Sequence, residues 1–547
     1  MRHRSLPVLL SLSTLWLGSV LPAQRDPEPN PVAHVPWRSI GPVNPGGRTT
    51  DFEAVSGQPG TWYVASAAGG LWKTVNAGTT WTALFQDQSS CSIGDVAVAP
   101  SDPNIVWVGT GEENARNSVS WGDGVYKSTD AGRTFTHCGL RKSFQIGHIA
   151  IHPKDPNVVF VAALGTLWGP NEERGVYRTR DGGKSWERVL YRDDHTGCID
   201  VRLEPSNPDI VYAVLYERER DMFDSNDPAF RFGKHAGIYK STDGGTTWTR
   251  PRNGLPSCAW GRCSIEPWAK KPGTVFALLE SERSGWASGT SRTGRSSSRP
   301  YLGAAIGDGE GGARLGRVLA GSPADKHGLK QGDIVVRIDD TAVQSADDLS
   351  NGIDDQRAGE KVKLTVLRDA DRLTLDVTLG SRPADELGGP HYPRLGGQNG
   401  NVQRLQGDLG HETGGLYRSD DFGATWKRLN SLIPRPFYFC SFTVDPNDDR
   451  TIYVCGIQLW KSADGGRRFR RCNRGIHVDF HDVWVDPTDS DHVVTLSDGG
   501  LAQSFDRTRS WEVIDNFCIA QFYKCAVDDA VPYNVYGGLQ DNGTWGG

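Results

Sequence analysis

Ser128-Thr129-Asp130-Ala131-Gly132-Arg133-Thr134-Phe135 is the stretch that decides the fold. A hydroxyl and a carboxylate two residues apart can both accept backbone N–H bonds inside a hairpin turn, and Gly132 supplies a positive φ there. Phe135 is then free to pack sideways. The same turn recurs around Asn76 to Trp81, Asp181 to Trp186, Asp243 to Trp248, Asp421 to Trp426, Asp464 to Phe469 and, degraded, Asp506 to Trp511. Upstream of the turns lie two apolar runs split by Asp102-Pro103-Asn104, Asp155-Pro156-Asn157, Asn207-Pro208-Asp209, Asp445-Pro446-Asn447 or Asp486-Pro487-Thr488. Each unit therefore reads as four short strands.

A four-stranded unit cannot bury both faces alone, so successive units stack radially with the aromatic closing each gap. The spacing predicts an all-β chain, a seven-bladed β-propeller. Composition agrees: 66 Gly, 31 Pro and 18 Trp against 2 Met describe many strands joined by tight turns. Six carboxylates and Asn76 at the same place in successive repeats suit a turn rather than seven active sites. A net charge of −6 with scattered Lys and Arg argues against a nucleic-acid partner.

Residues 1–23 read as a signal peptide, with Arg2 and Arg4 before an apolar run, and 24–36 as a linker. This predicts export to a bacterial periplasm or the extracellular space, with no membrane span in the mature chain. Most of the ten cysteines read as core thiols, with Cys258 and Cys263 the favoured local disulfide.

Turn-to-turn spacing is regular except between Asp243 and Asp421. The gap divides the chain into blades one to four and half of blade five at 37–285, a linker at 286–299, an inserted small α/β domain at 300–382, a linker at 383–412, and the remaining blades at 413–516. Residues 517–547 read either as closing strands or as the start of a truncated second propeller. The insert contains Tyr301-Leu302-Gly303-Ala304-Ala305-Ile306, Gly321-Ser322-Pro323-Ala324, Gly328-Leu329, Gly332-Asp333-Ile334-Val335 and a helix-like Ala346 to Ile353. It resembles a PDZ domain of the type found beside HtrA-like and tail-specific proteases. The resemblance implies that Tyr301, Leu302 and Gly303 cradle a peptide C-terminus, and that Ala304 to Ile306 accept it as an added strand.

Outside the insert, Trp37-Arg38-Ser39-Ile40-Gly41-Pro42, Gly109-Thr110-Gly111-Glu112-Glu113-Asn114, His477-Val478-Asp479-Phe480-His481, Ser497-Asp498-Gly499-Gly500 and Gly538-Leu539-Gln540-Asp541-Asn542-Gly543 carry a second resemblance. They are similar to exported Asp-box (BNR) propellers described as sortilin-N-terminal-like and often labelled glycosyl hydrolases.

Two function classes stay open. A recognition protein would bind a glycan or protein on the propeller through Arg48, Arg116, Arg435 and Gln540, and a peptide C-terminus on the PDZ domain, with no cofactor. A glycoside hydrolase would draw acid and base from Glu112, Glu113, Asp479, Asp498 and Asp541. A third reading, a metal-dependent hydrolase, places His477, Asp479 and His481 on one strand face around a divalent ion; channel-lining polar packing explains the same spacing. The chain lacks a protease nucleophile loop, and it lacks the arginine triad of a sialidase.

Overall fold

Seven sheets built from consecutive antiparallel strands follow one another along the chain. The computed structural model describes residues 47–116, 118–220, 228, 230–286, 300–319, 321–354, 356, 359–369, 371–381, 390–393, 395–541 and 543–547. The signal peptide, Trp37 and the first linker lie outside the described residues. The innermost strands are Thr49–Ala54, Ile93–Val98, Ile146–Ile151, Thr196–Leu203, Trp260–Pro267, Phe442–Val444 and Phe480–Val485. Six sheets have four strands; the fourth has three, extended by a bridge between Lys240 and Thr249.

The turns are built as their residues demand. In all seven, the hydroxyl accepts the N–H four residues on at 2.8–3.0 Å, from Gly78, Gly132, Gly183, Gly245, Gly423, Gly466 and Thr508. Asp130 Oδ1 accepts the Thr134 N–H at 2.9 Å and Oδ2 the Thr134 hydroxyl at 2.7 Å. In the degraded copy Thr508 stands in the glycine place at φ +70°.

The turn aromatic packs backward onto the preceding sheet. Trp186 lies edge-on to Trp107 of the second sheet at 6.0 Å, and Trp248 packs with Phe160 of the third. Trp81 of the first sheet joins Val494, Leu496 and Ile514 of the seventh, so the last sheet packs against the first. Burying one such indole is worth about 3–5 kcal/mol against alanine.

Phe517 and Ile519 are buried in that same seam. The strands after them, Phe522–Val527, Val535–Leu539 and Thr544–Gly546, form a separate three-stranded sheet. They do not add to the first sheet, whose four strands all come from residues 49–83. Among the described residues, side chains of this segment fill the seam.

The insert leaves and re-enters the fifth sheet between two paired strands, Val275–Ser281 and Gly415–Ser419. Its own sheet is wrapped around a separate core that includes Leu302, Leu315, Val335, Leu349 and Val366. The Gly-rich stretch before residue 413 is not a loose tether over its described part. Gly397–Gln398 pairs with Ile433–Pro434, and the buried Gln406 amide donates to the Trp286 carbonyl at 2.8 Å. Gly397 has φ +81°, and a Cβ there would lie 2.0 Å from the Ile433 oxygen. Those glycines serve close approach rather than flexibility.

All ten cysteines are free. The proposed Cys258–Cys263 pair is not formed: Cys263 is buried on an innermost strand, whereas Cys258 sits partly exposed with its thiol 3.8 Å from the Glu412 carbonyl. Among the described residues no helix is long and apolar enough to cross a membrane.

Candidate functional site

The loop Gly111–Arg116 leaves the second sheet and bonds to most of its neighbours at one end of the ring of strands. Gly111 starts it at φ +89°, where a Cβ would meet the Phe144 carbonyl at 1.9 Å, so no other residue fits. Glu112 is fully buried. Its carboxylate takes Arg48 Nε at 2.6 Å and Nη2 at 2.8 Å, and Asn114 Nδ2 at 3.1 Å. Its backbone oxygen accepts Gln145 Nε2 at 2.5 Å, and Gln145 is held in turn by Arg218 at 2.6 Å. Glu113 is paired with Arg262 of the fifth sheet.

Arg262 also fixes a protonation state at a distance. A guanidinium only donates, so its 3.0–3.1 Å bonds to the Tyr438 carbonyl and Asn114 Oδ1 define which Asn114 atom is oxygen. Asn114 Nδ2 must then donate, at 3.3 Å, to His481 Nδ1. The proton of neutral His481 is therefore on Nε2, which points 2.7 Å from Asp498 Oδ1.

Burial pushes the Asp498 carboxyl up, but the hydrogen bond from His481 and the charge of Arg48 outweigh it and hold it well below the usual carboxylate range. Gln540 reaches in from the eighth sheet, taking Arg48 Nη1 on its oxygen and donating to Asp498 and Asp541 at 3.3 and 3.2 Å.

Around this buried core stand Asp479 and Asp541. Burial first and the Asp498 charge second raise Asp479; burial, then the hydrogen bond and charge of Asp498, raise Asp541. Arg116 and Arg435 lie over the Tyr438 ring at 5.5 and 5.1 Å. Of the sequence candidates, Arg48, Glu112, His481, Asp498 and Gln540 are thus brought together and buried, while Arg116, Arg435, Asp479 and Asp541 face outward around them.

The expected face of His477, Asp479 and His481 is corrected. The strand begins only at Phe480, and Asp479 has φ +65°, so period-two alternation does not hold across the three. His477 Nδ1 instead meets the Val478 carbonyl at 2.6 Å. Among the described residues no three His, Cys, Asp or Glu side chains converge as metal ligands. Glu112 as acid or base is likewise corrected, because both its oxygens are taken and none is exposed.

Sequence reasoning missed the acids of the central channel, a cavity of about 510 Å³ lined among others by Asp51, Glu53, Asp95, Asp200, Glu266 and Asp482. Asp51 accepts the Val96 N–H at 2.7 Å, Asp95 that of Ile149 at 3.0 Å, Asp200 that of Ile265 at 3.0 Å, and Glu266 that of Val444 at 3.0 Å. Each carboxylate ties its strand to the next sheet. Burial raises Glu53 and Glu266 to about 8 and Asp482 to about 6. The signal was available: a polar residue recurs at the same place in the innermost strand of several repeats.

In the insert, Gly303 has φ +81° with Ser322 Cβ 2.2 Å from a built Cβ, and the Leu302 carbonyl accepts the Ala324 N–H at 2.8 Å. Tyr301 pairs with Gly380. Ala304–Gly309 is an edge strand whose only strand partner among the described residues is Gly312–Val318, and the helix Ala346–Asp354 packs near it. Ile306 packs against the insert's core.

Comparison with known proteins finds separate likenesses for the two parts of this architecture, a β-propeller interrupted by a PDZ domain. The PDZ domain family matches residues 300–379, and the family described as sortilin, neurotensin receptor 3, matches 123–298. A probable periplasmic serine endoprotease DegP-like of Marinomonas sp. (strain MWYL1) is 40% identical over 78 residues, 14% of this chain and 17% of that protein. The xyloglucanase Xgh74A of Acetivibrio thermocellus is 26% identical over 219 residues, 36% of this chain and 25% of that protein. The chain thus spans a quarter or less of the curated relatives it matches. The crystal structure of an ancestral GH74 enzyme aligns over 92% of this chain and 60% of its own, at 17% identity and a TM-score of 0.36.

Proposed function

We propose that the chain is an exported bacterial recognition protein, periplasmic or extracellular. Its propeller takes a glycan or protein ligand at the surface bounded by Arg116, Arg435, Asp479 and Asp541, and its PDZ domain takes a peptide C-terminus along Ala304–Gly309. The observation that carries this reading is the fate of the acids: Glu112 and Asp498 are spent in buried pairs. They hold a fixed surface of mixed charge in place instead of facing a bond to be cleaved. No cofactor, nucleic acid or membrane enters the reading. The edge strand and the Gly303 turn support strand addition at the PDZ groove, where main-chain bonds supply the affinity.

Glycoside hydrolysis is the second reading, favoured by one observation. Asp479 and Asp541 are both raised from the ordinary carboxylate value, by burial and by the neighbouring Asp498, the direction a general acid needs. The partial likeness to a xyloglucanase adds weight to it. A metal-dependent hydrolase is not supported by the placement of His477.

The test is reducing-end release from a polysaccharide panel that includes xyloglucan, beside binding of C-terminal peptides to the full chain. Peptide binding with no bond cleavage is the expected result. Cleavage that is lost in Asp479→Asn or Asp541→Asn would replace recognition with hydrolysis.

A further inference from the structure

Three large rings stand in solvent at the same end of the ring of strands: Trp121 is 64% exposed, Trp168 42% and Phe230 62%. Each comes from the loop joining the second and third strands of its sheet, in the second, third and fourth sheets respectively. Isolated exposed aromatics are ordinary. One in the equivalent loop of three consecutive sheets is a pattern.

These loops are locked to one another. Arg220, in the loop of Phe230, donates its backbone N–H to the Leu167 carbonyl at 2.9 Å and its Nε to the Ala115 carbonyl at 2.7 Å, reaching both other loops. The Trp168 loop closes on the buried Arg174 guanidinium, which donates to the carbonyls of Leu164, Thr166 and Gly169 at 2.7–2.8 Å. Phe230 and Glu219 exchange both backbone bonds at 3.1 Å. Trp121 is held by Ser90 on its carbonyl at 3.1 Å and leans on Phe144, with ring centroids 6.1 Å apart. A ligand would meet loop backbone already held at these points, which lowers the cost of ordering it.

We infer that Trp121, Trp168 and Phe230 form a rim on which a polysaccharide chain stacks its sugar rings. This rests on the recognition reading and deepens it. The rings lie singly on separate loops, and no contact joins them to one another among the described residues. A protein interface is built around a contiguous apolar centre, whereas these rings come from three separate loops. A chain of repeating sugars offers like apolar C–H faces at intervals, keeps its hydroxyls in water between them, and matches repeated rings on repeated sheets.

The experiment is affinity electrophoresis of the full chain through gels containing xyloglucan, xylan or mixed-linkage β-glucan, with Trp121→Ala, Trp168→Ala, Phe230→Ala and the triple variant. At least one neutral polysaccharide should retard the wild type. Each single change should weaken binding about three- to ten-fold, and the triple should abolish it with the thermal midpoint unchanged. Retardation that survives in the triple variant but is lost in Asp479→Asn/Asp541→Asn would overturn the rim and keep propeller recognition. Absence of retardation in the wild type would also overturn the rim; a displayed peptide whose capture needs the three rings would then assign the surface to protein. No ligand of either kind would sink the recognition reading as well.

Discussion

The aspartates of the outer turns and the carboxylates of the central channel are one functional group held in two opposite ways. In the turns, Asp130 and Asp506 lie in solvent and accept hydroxyl and backbone bonds that lower them to about 2. In the channel, Glu53 and Glu266 accept a backbone N–H from the neighbouring sheet as well, yet enclosure raises them to about 8. A backbone bond is common to both; the number of further hydrogen bonds accepted and the degree of enclosure decide the sign. The repeats therefore carry acids with two unlike jobs, one stabilising as the anion and one as the protonated acid.

The largest effect should come where a buried carboxylate and a buried guanidinium face each other. Arg48→Met leaves Glu112 enclosed without its partner and should cost about 3–5 kcal/mol in urea unfolding. Replacing both residues, as Arg48→Met with Glu112→Leu, should restore a large part of that loss. If the single change costs no more than an ordinary surface substitution, the loop 111–116 is not the anchor its bonds describe.

Most of the fold was legible because the turn signal is local: Ser128, Asp130, Gly132 and Phe135 lie within eight residues and repeat. The insert was legible for the same reason. The site was only half legible. Glu112, Asp498 and Gln540 stood out as residues belonging to no repeat, but their burial depends on Arg48, Asn114 and Arg262 from three different sheets, which no local spacing reveals. The face assigned to His477, Asp479 and His481 failed because one left-handed residue, Asp479, breaks the alternation that the reading assumed. The channel acids were overlooked because a lone polar residue in an apolar strand is conspicuous only when repeats are aligned.

A smaller effect should follow from the raised acids. A carboxyl whose folded value lies above its unfolded value stabilises fully below the unfolded value, and its contribution fades as pH rises through the folded one. For Glu53 and Glu266 that window runs from about 4.5 to about 8. Urea midpoints should fall between pH 5 and 9, and Glu53→Gln or Glu266→Gln should each flatten that slope by about 1–2 kcal/mol once channel water is allowed for. A wild-type midpoint that stays level to pH 9 would mean the channel carboxylates ionise freely.

The smallest effect belongs to the turns, and it runs the other way. Asp130 is lowered, so its contribution is complete above the usual carboxylate range and lost as pH falls through about 2. Asp130→Ala should lower the urea midpoint at neutral pH by less than Arg48→Met does. It should also remove part of the acid limb between pH 4 and 2 while leaving the alkaline limb untouched. Glu53→Gln should do the reverse. If both variants moved the same limb, the two sets of carboxylates would not be electrostatically distinct, and the division of labour between rim and channel would be lost. If each moves only its own, the repeat uses carboxylates in two ways, set by the hydrogen bonds each accepts and by how far each is enclosed.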